Sequence, residues 1–150
     1  MLVRSLTKQE VEEEPLRLWN SFKHLLATED YADLDEIQRV AYLCFWYDSE
    51  VLRGGHLRYF VNQRLDLLNK TVEALSTLGA VSQSSLLKSA SDKLSVTPKG
   101  SSESVEEYLE RALEGDFAEF DDGYYVCHPN ITDLLAWYFE QNREHFVRIE

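Results

Sequence analysis

Glu103, Glu106, Glu107, Glu110 and Glu114 recur at spacings of three and four residues. On an α-helix, at about 100° per residue, they share one arc about 100° wide. Val105, Tyr108, Leu109 and Ala112 lie opposite. Neighbouring carboxylates at these spacings stand about 5–6 Å apart, and each like-charge pair costs about 0.2–0.5 kcal/mol. Asp116, Glu119, Asp121 and Asp122 continue the negative run with no base among them. Two readings compete. One is a solvated outer face, the usual role of a charge run. The other is a ladder about 16 Å long, at 1.5 Å rise per residue, that replaces phosphates in a basic groove. Duplex DNA, for which such a groove is built, carries about one charge per 1.7 Å of axis.

Other chemistry-bearing residues form weaker patterns. His24, His56, His128 and His145 show no metal-ligand spacing. Asp121, Asp122 and His128 can be drawn as a metal site, although such triplets are mostly a turn and a cap. Cys127 and His128 are adjacent, but nucleophile and base must meet in space. Gly54-Gly55 has no phosphate-loop context and reads as a helix stop with a close turn. Arg53, Arg58 and Arg64 lie near Tyr59 and Phe60 and are expected to pair internally. No catalytic residue, metal ligand or cofactor is assigned.

Composition narrows the classes further. The 150 residues carry 15 Lys+Arg against 27 Asp+Glu, a formal net charge of −12. That argues against direct nucleic-acid binding through a broad basic face. An apolar share of 44% and an aromatic share of 12% are too rich for a disordered chain. Two cysteines far apart, Cys44 and Cys127, form neither a disulfide framework nor a zinc ribbon. The start lacks an apolar leader, and the longest apolar run, Val40 to Tyr47, is too short for a bilayer. A reduced, cytoplasmic protein with no membrane partner is expected.

The elements that must hold these residues are helical. Stripes of period 3.6 run through Leu18, Trp19, Phe22, Leu25 and Leu26, then through Ile37, Val40, Ala41, Cys44, Tyr47 and Val51. A third runs from Leu65 to Leu78 and closes at Gly79; a weaker one spans Val81 to Leu94. A fifth covers Val105 to Leu113, and a last one Ile131 to Phe146. Thr7 to Glu10 has the capping-box pattern, and Pro15 must either kink that helix or begin the next. The expectation is an all-α fold: a compact single-domain bundle of about six to eight helices over residues 1–150, with no sheet and a loop near 95–104. Gly54 or Gly55 should have positive φ at a helix junction without a packing role. Trp19, Trp46 and Trp137 should be buried in one shared core.

Charge is unevenly placed. Residues 10–36 hold nine acids and two bases, residues 37–100 five acids and eight bases, and residues 101–150 thirteen acids and three bases. Against this background, Glu50 to Asn62 and Ala74 to Ala80 resemble a bacterial all-α family, that of the acidic DNA-mimic protein. The matching positions are Gly54, Gly55, Tyr59, Phe60, Asn62, Leu75, Leu78, Gly79 and Ala80. Phe120 to Tyr124 and the segment Tyr138 to Phe146 resemble the family's C-terminal part. Arg53 stands where the family usually has Asn, and His56 where it usually has Phe. The resemblance implies a helical fold whose glycines make turns and whose aromatics fill the core.

It also implies a decoy activity carried by surface carboxylates. The expected function is an acidic protein-binding module, a DNA mimic occupying the basic DNA-binding surface of a partner protein. Glu103, Glu106, Glu107, Glu110, Glu114, Asp116, Glu119, Asp121 and Asp122 are the partner-binding set; Gly54, Gly55, Tyr59, Phe60, Asn62 and Gly79 are structural. Two alternatives stand beside it. One is an immunity or regulatory partner of a basic protein that does not bind DNA. The other is a small metal-dependent hydrolase at Asp121, Asp122 and His128. No oligomeric state is assigned.

Overall fold

Thr7 caps the first helix, α1 (Lys8–Glu13), its hydroxyl accepting from the Glu10 N–H at 3.0 Å. Pro15 (φ −57°) begins a second helix, α2 (Leu16–Thr28), where its fixed φ suits the first turn. Asp35 and Gln38 then form a reciprocal capping box at the start of α3 (Glu36–Asn62). Here α3 is bent, because Gly54 (φ −161°, ψ 20°) and Gly55 (φ 76°, ψ −173°) leave helical geometry. The helix restarts at His56. The positive φ is thus found where the sequence places it, at Gly55.

Gly79 (φ 98°) ends α4 (Leu68–Leu78) in the left-handed conformation, with its N–H bonded back to the Leu75 and Ser76 carbonyls. Two further helices, α5 (Val81–Ser95) and α6 (Ala118–Tyr125), are followed by α7 (Ile131–Gln141), which Asn130 caps through the Asp133 N–H. The computed structural model describes residues 2–95 and 114–150. The expected 95–104 loop and the Val105–Leu113 stripe lie outside the described residues, apart from Ser95 at the end of α5.

The last stripe does not continue as helix to Phe146. α7 ends at Gln141, and a 3₁₀ turn, Arg143–His145, swings Phe146 into the core. Phe146 meets Phe22 edge-on at 4.8 Å, while Phe22 stacks on Phe139 at 4.6 Å. Each such phenylalanine contributes about 1.5–3 kcal/mol through burial. Two three-residue strands, β1 (Arg4–Leu6) and β2 (Val147–Ile149), then pair in parallel. They are too short to form a layer, and the fold is a helical bundle. Gln38, fully buried, donates to both the Leu2 and the His145 carbonyl and so ties the two chain ends to α3.

The tryptophans do not share one core. Trp19 stacks on Phe22 at 5.2 Å, and Trp46 donates its indole N–H to the Leu26 carbonyl. Both are partly buried, but Trp137 is 57% exposed on α7. The apolar face of α7 is carried by Ile131, Leu135, Tyr138 and Phe139, which turns Trp137 outward. Among the described residues, no helix is long and apolar enough to cross a membrane.

Candidate functional site

The bend in α3 holds the most elaborated polar cluster of the described residues. Restarting a helix leaves its first N–H groups without intrahelical acceptors. Asp121, on α6, supplies one: its Oδ1 accepts from the His56 backbone N–H and from the imidazole Nδ1, both at 2.8 Å. A carboxylate at a helix N-terminus also complements the positive end of the dipole. On the other side of the ring, the Tyr47 hydroxyl lies 2.7 Å from Nε2.

The proton positions follow from these partners. An ionised carboxylate only accepts, so Nδ1 carries the hydrogen and Nε2 accepts from Tyr47. His56 is fully buried among the rings of Tyr47, Phe60, Phe120 and Tyr124. Burial pulls its pKa down, against the opposing pull of Asp121. Burial likewise pushes the Tyr47 phenol well up. The neutral ring and neutral phenol are therefore the stable pair, and the cluster has no exposed reactive atom on His56. It locks α6 onto the bend in α3.

Glu50 makes a second clasp across the bend. Its buried Oε2 accepts from Arg58 Nε at 3.1 Å and from Asn62 Nδ2 at 2.9 Å. Arg64 forks onto Asp66 through Nε and a terminal nitrogen. Two of the three central arginines thus pair internally, while Arg53 is exposed and in no ion pair among the described residues. Tyr59 and Phe60 are in the core, and Gly54, Gly55 and Gly79 shape the turns.

Of the acidic set, Glu103, Glu106, Glu107 and Glu110 lie outside the described residues. Glu114 opens a 3₁₀ turn, Glu114–Phe117, that leads into α6. Asp116 is half-buried, and its backbone carbonyl accepts from the Lys93 ammonium. Glu119 and Asp122 are exposed on α6 and in no hydrogen bond or ion pair among the described residues. Asp121 is turned inward onto His56 instead, which takes its Oδ1 out of a surface row. The earlier acidic block is partly neutralised from within. Arg17 reaches Glu10 and Glu14, and Arg4 reaches Glu29 at 2.9 Å. Glu12, Asp30, Asp33 and Glu36 are exposed and outside those ion pairs.

Asp121, Asp122 and His128 are not brought together. Asp121 faces inward while Asp122 and His128 are exposed, and no group of three metal-ligating side chains occurs among the described residues. Cys127 donates to the Gly123 carbonyl, and burial pushes its thiol up, away from thiolate character.

The family model of the DMP19-like protein matches residues 32–142, a span that contains both clasps and the bend. The chain belongs to the DMP19-like family. No curated protein and no solved structure matches it. In this DMP19-like chain the matched span also carries Gly79, α6 and α7, whereas α1, α2 and the two short strands lie outside it. His56 was missed as an anchor in the sequence. The one local hint was a histidine directly after a Gly-Gly break, between residues that otherwise read as core.

Proposed function

We propose that this chain is an acidic protein-binding module that acts as a DNA mimic, occupying the basic DNA-binding surface of a partner protein. Membership of the DMP19-like family is the observation that carries this reading. The net charge of −12 supports it, as do the exposed carboxylates of Glu119 and Asp122, which stand free of neutralising cations among the described residues. The proposed role is binding and not catalysis. The partner is a basic DNA-binding protein met in the cytoplasm, where Cys44 and Cys127 remain thiols.

Physically, the decoy works by presenting carboxylates that the partner's Lys and Arg already accept in the form of phosphates. The test is capture of the partner from native cell extract on the immobilised protein, repeated with Glu119→Lys/Asp122→Lys. The two reversals lie on exposed positions and leave the Asp121–His56 clasp intact. Capture should drop with the variant, and equal capture by both proteins would count against the reading.

A further inference from the structure

Between α3, α5, α6 and the start of α7 lies a cleft of about 230 Å³, whose walls include Asp48, Leu52, Gln83, Tyr124, Tyr125 and Ile131. Asp48 is its one charged group, and no Lys, Arg or His lines it. Gln83 is 1% exposed, and its Nε2 donates to the Pro129 carbonyl at 2.7 Å. That bond fixes the amide, since the swapped orientation would set two oxygens together. Its Oε1 is left buried with no hydrogen-bond partner. That oxygen is sealed from solvent, so Gln83 serves as a fixed wall of the cleft.

Asp48 carries the open acceptor of the cleft. Its Oδ1 accepts from the Tyr124 hydroxyl, whereas its Oδ2 is not among the sealed, unpartnered atoms and has no hydrogen bond among the described residues. Burial raises the Asp48 pKa, with the Tyr124 bond opposing, as for a carboxylate that lacks a cation. Lys23 borders the adjoining cleft but is held over the Trp19 ring and forms no ion pair with Asp48. The cleft therefore offers a half-buried carboxylate with one oxygen unpaired, and apolar walls from Leu52 and Ile131.

We propose that this cleft is a binding site for a primary alkylammonium group, the tip of a lysine side chain presented by a protein partner. An ammonium has donors and no acceptor, matching the unpaired oxygen of Asp48, and its methylene stem suits the apolar walls. A protein source, in preference to a free amine, follows from the rim. Leu52 and Tyr125 are 52% and 64% exposed, and Val126 beside them is 73% exposed, a patch that a protein surface would cover. The net charge of −12 draws lysine-rich partners. The choice of occupant rests on the partner-binding reading above, but the ammonium chemistry of the cleft does not.

The experiment is an NMR titration of the full chain with n-butylammonium and, separately, with n-butanol. Butylammonium should shift the Gln83 side-chain amide and Tyr125 signals saturably, with butanol about tenfold weaker or more. Asp48→Asn should weaken butylammonium binding by about tenfold or more. Leu52→Trp, at an exposed position, should plug the cleft and block binding even if the Asp48 variant fails to fold. Equal binding of butanol, an indifferent Leu52→Trp protein or an absence of shifts would each overturn the site. A peptide with one lysine among leucines should bind more tightly than butylammonium and lose that gain when the lysine becomes norleucine. Equal affinity of peptide and free amine would overturn the protein source. None of these titrations involves DNA or its binding proteins, so failure here and failure of the decoy reading are separate results.

Discussion

Asp121 occupies the space that a side chain on Gly55 would need: a Cβ built there would lie 2.3 Å from Asp121 Oδ2. The glycine is required twice over, by its φ of 76° and by the carboxylate packed against it. A packing role was not expected of this pair of glycines, yet it is what lets α6 dock on the bend in α3.

Substituting Gly55 should therefore cost more than substituting Gly79. Both have positive φ, but a Cβ on Gly79 meets only Leu134, at 3.7 Å. Gly79→Ala should destabilise by about 1–2 kcal/mol, the left-handed penalty alone. Gly55→Ala should cost about 2–4 kcal/mol, because Asp121 must also leave its two hydrogen bonds, and Gly55→Val should be at least as severe. Urea unfolding of the variants measures the difference, and equal losses would mean that Asp121 yields without penalty.

Stability should fall on the acid side through His56. Its pKa is lowered by burial, so the unfolded chain takes up a proton at this residue more readily than the folded one. The contribution is complete above the ordinary value of 6.5 and shrinks as pH drops below it. His56→Phe should remove that part of the slope when unfolding is followed between neutral and mildly acidic pH. An unchanged slope would place the acid sensitivity elsewhere.

The Tyr47–His56 pair should couple strongly. His56→Phe alone leaves the buried Tyr47 hydroxyl without its acceptor, at about 1–3 kcal/mol. The double variant Tyr47→Phe/His56→Phe removes both partners and should be less destabilised than the two single losses added together. A double-mutant cycle by thermal or urea unfolding reads the coupling directly.

Trp137 should dominate the quenchable fluorescence. It is 57% exposed, whereas Trp19 and Trp46 are half-sheltered by Phe22 and the Leu26 carbonyl. Trp137→Phe should remove most of the acrylamide-accessible emission and change stability by less than about 0.5 kcal/mol, as for other surface substitutions.

Much of the scaffold was legible because it is written in local signals. Thr7, Pro15 and Gly79 mark helix ends through capping, fixed φ and left-handed φ, and each does so here. The stripes through Phe22, Cys44 and Leu75 reach the core. What escaped is non-local. Asp121 meets His56 across 65 positions, and no periodicity links a carboxylate on one helix to a ring on another. β1 and β2 have three residues each, too few for an alternating pattern. Phe146 follows α7 at helical spacing but is buried through a 3₁₀ turn. Trp137 sat beside an apolar stripe, and one helical step decided its exposure.

The central claim is that the acidic surface stands in for phosphates, and competition by duplex DNA tests it most directly. With the captured partner immobilised, added duplex should displace this protein. Binding should weaken steeply as salt rises, because exposed charges are screened over about 8 Å at physiological ionic strength. Glu107→Lys/Glu110→Lys should slow association by about tenfold or more. A complex indifferent to added DNA, to salt and to the double reversal would contradict the account and leave the acidic residues as a solvated face.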